Sequence, residues 1–177
     1  MKEDVQKNIA RKWYAIYTRP RFEKQVAQRL EEQQIEAYLP LVKTMRQWSD
    51  RKKLVEVPLF NSYVFVHIDR SQYDLVLQAH GVVKYISFEG KAVPIPTNQI
   101  DNLKIIANSN EDVETTWERR RKGDRVKVIA GSLKGLIGEL ITDGDRKKVL
   151  VRIDSLEQNL TVQVHSSLIE SIMEHKE

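Results

Sequence analysis

The side chains that could carry out acid–base or metal chemistry follow no catalytic pattern. The sequence contains four histidines: His67, His80, His165 and His175. They show neither the spacing of metal ligands nor a carboxylate at helical spacing. Gly131, Gly135 and Gly138 superficially resemble a phosphate-binding loop, but strand-like segments flank them, so no helix N-terminus is available to a phosphate. We therefore predict turn glycines, no metal site, no cofactor and no enzyme.

The most informative side chains lie in the segment 63–68, which has apolar residues on both faces of a strand. They alternate between two faces: Val64, Val66 and Ile68 on one, and Tyr63, Phe65 and His67 on the other. The predicted helices cover one face, and the β-branched face suits helix packing. The aromatic face is then open to nucleic-acid bases or to a partner helix. The alternative is that the neighbouring hairpin or the linker folds over it.

Three groups of polar and basic residues could contact phosphates. They are Arg19, Arg21, Lys24 and Gln28; Arg46, Arg51, Lys52 and Lys53; and the run at 119–122. An ordinary solvated surface explains each group equally well. Trp48 and Trp117, which lie beside such cations, either stack on a partner or pack on a domain.

Hydrophobic periodicity predicts an N-terminal domain that mixes strands and helices. The predicted elements are a strand at 13–18, a helix opened by Arg19-Pro20, a hairpin at 38–60, a strand at 63–68, a helix at 71–79, a strand at 82–88 and a helix capped by Thr97. Phe22, Val26 and Leu30 form the apolar stripe of the first helix, and Leu75 and Val76 are the apolar contacts of the second. This order predicts two helices on one face of a mostly antiparallel four-stranded sheet.

A second domain of a different class follows. Residues 109–122 have almost nothing to bury and are predicted to be a flexible linker. From Gly123 onward, short alternating strands with glycine turns predict a five-stranded β-barrel over 123–173. The predicted fold class is α+β, with the first domain spanning 12–108.

Composition narrows the class of protein. The 177 residues include no cysteine, which excludes disulfides and thiolate metal sites and favours a reducing compartment. No apolar run is long enough to span a membrane, and the charged N-terminus does not resemble a signal peptide, so we expect a cytoplasmic protein. Residues 1–60 hold 13 basic and 8 acidic side chains, which suggests a surface that faces a polyanion.

Four segments together resemble the NusG family of transcription elongation and antitermination factors. They are Trp13–Lys24, Pro58–Val66, Gly81–Ile86 and the KOW-like run Gly123–Gly138. The resemblance covers residues 12–172. The sequence Tyr-Thr-Arg-Pro-Arg at 17–21 resembles the specialised RfaH-like and UpxY-like branch more than housekeeping NusG.

The resemblance implies a protein that binds RNA polymerase through an apolar pocket on the sheet. In the family, the aromatic face holds the tip of the polymerase clamp helices. The matching positions are Tyr63, Phe65 and Phe88, with Tyr14 and Phe60 as neighbours.

The resemblance also implies contact with the non-template DNA strand. The matching positions are Trp13, Arg19, Arg21, Gln28 and His80, with Lys12 and Lys84 nearby. Such a monomeric clamp suppresses pausing and termination by population shift, without chemistry, and we expect it to act at specific operons such as those for polysaccharides.

For the KOW domain, the family implies recruitment of a ribosomal protein or of Rho near Ile153 and Leu156. A leucine that closes the barrel end explains Leu156 equally well. In RfaH a His-Thr-rich run after the third strand reaches the opposite polymerase pincer; Ser71–Val76 replaces that run here, so the resemblance does not extend to this contact. In the C-terminal domain, β-branched residues recur with a period of two at 149–153 and 160–164, which favours a barrel over a helical hairpin. The alternative function is a ribosome-associated or RNA-associated KOW protein acting in translation.

Overall fold

The computed structural model describes residues 10–48, 50–116, 123–143, 146–156 and 158–172. The chain forms two compact units. The first comprises the described residues up to Leu39 together with Ser62–Pro94, and the second comprises Pro40–Asn61 together with the described residues from Ile95 onward.

Twelve elements precede residue 109. They are β1 (Lys12–Thr18), α1 (Glu23–Glu32), β2 (Glu36–Tyr38), β3 (Leu41–Gln47), β4 (Lys52–Pro58), β5 (Tyr63–Ile68), α2 (Tyr73–Gln78), β6 (Val82–Tyr85), β7 (Ser87–Phe88), β8 (Lys91–Ala92), β9 (Pro94–Ile95) and α3 (Thr97–Asn108). A short 3-10 turn, Arg70–Gln72, leads into α2.

Six strands follow. They are β10 (Val113–Thr116), β11 (Arg125–Val128), β12 (Ile137–Asp143), β13 (Arg146–Ile153), β14 (Gln158–Gln163) and β15 (Ile169–Ser171). Two 3-10 turns, Asp154–Leu156 and Ser166–Leu168, lie beside β14 and β15.

The first unit is built on an antiparallel sheet in the order β2-β5-β1-β6. Its core contains Val64, Val66 and Ile68 of β5, with Val26 and Leu30 of α1. Val76 of α2 and Tyr85 of β6 join the same core. The β-branched face of β5 therefore packs on the helices, as its sequence predicted.

Helix α1 begins later than Pro20 suggested. Arg21 adopts a left-handed φ of 68°, which is incompatible with a helical turn, so the helix starts at Glu23. The predicted stripe is confirmed at Val26 and Leu30, which are fully buried.

Three further details of the first hundred residues differ from prediction. Leu75, an expected contact of α2, is exposed, while its neighbour Val76 is buried. The strand expected at 82–88 divides into β6, which pairs with β1, and β7, which pairs with β8. Thr97 is the first residue of α3 rather than its cap, and no side chain caps this helix.

The second unit contains the predicted hairpin. Strands β3 and β4 pair in register, with Met45 opposite Leu54 and Gln47 opposite Lys52. The unit also contains a six-stranded antiparallel sheet in the order β10-β14-β13-β12-β11-β15. The helices and sheets of the two units confirm the α+β class. Strands β11–β15 are the five strands expected after residue 123.

The segment predicted as a linker contains the sixth strand of this sheet. Val113 of β10 pairs with Val162 of β14, and Thr115 pairs with Leu160. Three β-branched residues in four favour an extended strand once a partner edge is present. Residues 117–122, including Trp117 and the basic run at 119–122, lie outside the described residues.

The glycines near 131 take two roles. Gly131 and Gly135, both with positive φ, lie in the turn between β11 and β12, as predicted. Gly138 lies within β12 instead, where an added Cβ would stand 2.5 Å from the carbonyl oxygen of Leu150 on β13. Close approach of the two strands therefore excludes a side chain there.

None of the described helices is long and apolar enough to cross a bilayer, and the longest of them, α3, has 12 residues.

Candidate functional site

The register of β1 and β5 defines an aromatic face on the sheet of the first unit. Trp13 lies opposite His67, Ala15 opposite Phe65, and Tyr17 opposite Tyr63. Residues directly opposite each other in an antiparallel pair share a face. We use the term aromatic face for these six residues, whose side chains point away from α1 and α2.

The centre of the aromatic face is closed. Phe65 and Ala15 are fully buried, and Trp13 is nearly so. The indole of Trp13 stacks on His67 at 4.8 Å between ring centroids, and Nδ1 of His67 lies 2.8 Å from Oε2 of Glu36. The expectation of an open face is therefore wrong at Phe65, because burying a large apolar ring is favourable wherever the fold can cover it.

The edge of this face remains partly accessible. Tyr17 and Tyr63 are half-buried and meet edge to face, with 5.5 Å between ring centroids. Burial, with a smaller contribution from Tyr17, raises the pKa of Tyr63. Tyr38 lies 6.4 Å from Phe65, and burial raises its pKa to about 12. With their raised pKa values, the phenols of Tyr63 and Tyr38 are uncharged at neutral pH, so this edge offers aromatic rings that carry neutral hydroxyl groups.

The structure does not assemble the five residues predicted to bind polymerase. Tyr63 and Phe65 share the aromatic face, but Tyr14 points to the helix side and contacts Tyr85 edge to face at 6.0 Å. Phe60, named as a neighbour of these positions, is buried and belongs to the second unit. Phe88, on β7, is 71% exposed.

A cluster of basic side chains forms at the corner where β1 leads into α1 and α2 leads into β6. The N–H of Arg19 donates to the carbonyl of Gly81 at 2.8 Å, and Nη1 of Arg29 donates to the carbonyl of His80 at 2.9 Å. We call Arg19, Arg21, Arg29 and His80 the basic corner. Of its side chains only Arg29 is partly buried.

The basic corner is held by close packing around Gly81. Gly81 has a φ of 101°, and a Cβ there would stand 2.8 Å from Phe22 and 2.9 Å from Val26. Phe22 also contacts the His80 ring, with 5.7 Å between centroids. Only glycine lets the loop approach α1 so closely.

Four predicted DNA-binding residues are not members of this corner. Trp13 is buried in the aromatic face, and Lys84 lies opposite Tyr17 at the edge of that face. Lys12 is at the far end of β1, roughly 20 Å from Arg19 at about 3.3 Å per residue. Gln28 is exposed on α1, where its Nε2 donates to Glu32 at 3.0 Å.

The sequence pattern did not predict Arg29 as a member of the basic corner. The partner of Arg29 is the carbonyl of His80, which is 51 residues away in the chain, so no local pattern could reveal the contact.

The hairpin of the second unit carries exposed apolar and basic residues. Trp48 is 56% exposed, and its N–H donates to the carbonyl of Arg51 at 2.8 Å. Met45 and Leu54, directly opposite each other, are also exposed. The basic tip is therefore a solvent-facing surface.

The candidate partner site after β13 is apolar but closed. Ile153 is fully buried and Leu156 nearly so. The alternative in which Leu156 closes the end of the sheet is the one observed, and an exposed Leu156 is excluded. Beside it, Nε of Arg152 donates to Oε1 of Glu139 and Nη2 to Oε2, both at 2.9 Å. The hydrogen bonds to Glu139 raise the pKa of Arg152.

Residues 11–104 match the family described as "Transcription termination factor nusG". The chain belongs to the NusG family. That match covers the antiparallel sheet of the first unit, helices α1 and α2, the β3–β4 hairpin, and α3 as far as Lys104. Members of this family are transcription factors rather than enzymes, and they bind RNA polymerase. The chain is accordingly a transcription elongation factor.

Two solved structures match this NusG-family chain over most of its length. "Domain interaction in Thermotoga maritima NusG" shares 24% identity over 92% of this chain and 98% of that one, with a TM-score of 0.49. "Crystal Structure of MjSpt4:Spt5 complex conformation B" shares 18% identity over 93% and 99%, with a TM-score of 0.32. No curated protein matches the sequence of this chain.

Proposed function

We propose that this NusG-family protein is a specialised antiterminator of the RfaH-like or UpxY-like kind. In this proposal it bridges the polymerase and the exposed non-template strand, and it suppresses pausing and termination at particular operons, such as those for polysaccharides. The observation that carries the proposal is the basic corner, where the β1–α1 loop with its exposed Arg19 and Arg21, and Arg29 of α1, hydrogen-bond to the backbone of His80 and Gly81.

The basic corner suits a phosphate backbone. Arg19 and Arg21 are exposed, and Arg29 is oriented by its bond to His80, which leaves further guanidinium N–H groups for an acceptor. Cations fixed by backbone hydrogen bonds lose little freedom on binding. A single strand at this corner would be held by electrostatic contacts, with His80 as a candidate for stacking on a base.

Polymerase contact is proposed for the edge of the aromatic face. Tyr17, Tyr63 and the exposed Phe88 can contact a helical tip as they stand. Phe65 and Phe60 are buried, so a clamp-helix tip that reaches them must first uncover them. Binding would then include the cost of that opening.

The proposed mechanism is a population shift. A factor that holds both the polymerase and the non-template strand binds the elongating conformation better than the paused one, and stabilises it by that difference. A ribosomal protein or Rho remains a proposed partner of the second unit. Since Ile153 and Leu156 are buried, they would position the turn Asp154–Leu156 rather than contact the partner.

The test is binding to a stalled elongation complex, followed by transcription through a pause and a terminator. Arg19→Ala/Arg21→Ala removes the strand contact, and Lys127→Ala/Lys134→Ala is a control with the same loss of charge from exposed positions. We expect the corner variant to lose antipausing activity while the control retains it. The proposal of antitermination is wrong if wild type increases pausing or termination.

A second pair of variants tests the polymerase contact. Tyr63→Ser/Phe88→Ser removes accessible rings, and Leu77→Ser removes an exposed apolar residue of α2 as a control. We expect at least about tenfold weaker binding for the first variant only, because a few apolar anchors carry most of such an interface. Equal binding by both variants would place the polymerase elsewhere on the chain.

A further inference from the structure

A second basic cleft lies on the first unit, away from the basic corner. It measures about 600 Å³, and its lining includes Lys12, Tyr14, Asp69, Arg70, Tyr73 and Lys91. These residues come from β1, the turn before α2, and β8. The cleft is on the helix side of the sheet, at the end of β1 that is roughly 20 Å from Arg19.

An aromatic stack fixes one wall of the cleft. The ring of Tyr73 lies parallel to that of Tyr85, with 4.1 Å between centroids and 14° between planes. The hydroxyl of Tyr85 donates to the carbonyl of Tyr73 at 3.0 Å, so ring and backbone of Tyr73 are both held. The guanidinium carbon of Arg70 lies 5.0 Å from the centre of the Tyr73 ring.

Arg70 is thereby oriented without using its donors. A cation–π contact leaves the guanidinium N–H groups available to an acceptor. With respect to the residues that the structure describes, Arg70, Lys12 and Lys91 make no ion pair. All three are exposed at the cleft.

One carboxylate lines the same cleft but is already engaged. Oδ1 of Asp69 accepts the N–H of Ser71 at 2.8 Å and its hydroxyl at 2.6 Å. These bonds lower the pKa of Asp69, so it is charged at neutral pH. Three cations against one carboxylate leave the cleft with a net positive charge, which selects an anion.

We propose that this cleft binds a phosphate-bearing segment of single-stranded nucleic acid, with a base against Tyr14. Lysine and arginine are the usual phosphate ligands, and Tyr14 is half-buried at the cleft, where its ring can contact a base. The volume lies within the range of ordinary ligand sites and suits one or two nucleotides. The site is separate from the basic corner and gives the protein two single-strand contacts.

The test is fluorescence anisotropy of the full chain with labelled single-stranded RNA and DNA oligonucleotides at about 50 mM salt. Lys12→Ala/Arg70→Ala/Lys91→Ala removes the cleft cations. Lys127→Ala/Lys134→Ala/Lys147→Ala removes the same charge from exposed positions of the second unit. Circular dichroism checks that both variants are folded.

We expect about tenfold weaker oligonucleotide binding for the cleft variant and less than about threefold for the control. The slope of log Kd against the logarithm of the salt concentration should fall by about 2, because three phosphate contacts to a single strand are lost. Equal losses in the two variants would overturn the proposal, because they would report net charge alone.

Competition distinguishes the sources of the anion. If ATP displaces the oligonucleotide at a concentration similar to the Kd of the oligonucleotide, the cleft is a site for free nucleotides. That result would overturn the strand proposal. A poly-glutamate peptide that competes equally well would show an acidic protein as the partner and overturn it too. The basic-corner variant Arg19→Ala/Arg21→Ala should retain the cleft's share of binding, so failure of the proposed antitermination leaves this test intact.

Discussion

The side-chain amide of Asn102 forms two hydrogen bonds with the backbone of Ile137. Nδ2 donates to the Ile137 carbonyl at 2.8 Å, and Oδ1 accepts the Ile137 N–H at 3.2 Å. An asparagine can pair in this way with one peptide group of a strand, because its amide has a donor and an acceptor side by side. Helix α3 is thus joined to the start of β12 within the second unit.

Asn102→Ala should destabilise the second unit by about 2 kcal/mol. It leaves an N–H and a C=O of a partly buried residue without their partner, and such groups cost about 1–3 kcal/mol when left unpaired. Urea unfolding measures the change. Asn98→Ala, on an exposed position of the same helix, is the control and should change stability by less than about 0.5 kcal/mol.

Gly81→Ala should be more destabilising than Gly90→Ala. Both glycines have positive φ, so both substitutions introduce backbone strain of about 1–2 kcal/mol. A Cβ at Gly81 also meets Phe22 and Val26, whereas nothing lies within 4 Å of a Cβ at Gly90. The difference in unfolding free energy between the two variants isolates the packing around the basic corner. Equal costs would mean that α1 adjusts freely.

Glu139→Ala should weaken the second unit by about 2–3 kcal/mol. The pair with Arg152 has two parallel hydrogen bonds and is largely shielded, with side-chain exposures of 15% for Glu139 and 22% for Arg152. Removing one partner of such a pair leaves a poorly solvated charge. Asp50→Ala is the contrast, because the Asp50–Arg51 pair is long and exposed, and no measurable change is expected. Thermal unfolding of the two variants gives the comparison.

Stability should fall at high pH in part through Tyr38. Burial raises its pKa from 10 to about 12, so the unfolded chain releases this proton first. The contribution is fully present below pH 10 and is lost as the pH rises to about 12. Tyrosinate absorbance recorded directly after a pH jump should show one late-titrating phenol fewer in Tyr38→Phe. An unchanged titration in that variant would contradict the burial of Tyr38.

Local elements were predictable from the sequence because they depend on short-range periodicity. The stripe of α1, the hairpin of β3 and β4, the β-branched core face of β5 and the alternating strands after residue 123 all follow from side chains two to four positions apart. These patterns determined the α+β class, whereas the resemblance to the NusG family lies in the residues of four particular segments, at 13–24, 58–66, 81–86 and 123–138.

Tertiary structure alone decided which faces are accessible. The alternation in β5 predicts that Phe65 and Val64 point to opposite sides, but only packing of distant residues buries both. Likewise, Arg29 meets His80 across 51 residues, and β10 becomes a strand because the edge of β14 accepts it. Burial and long-range hydrogen bonds depend on which elements meet in space, and residue spacing along the chain does not encode this directly.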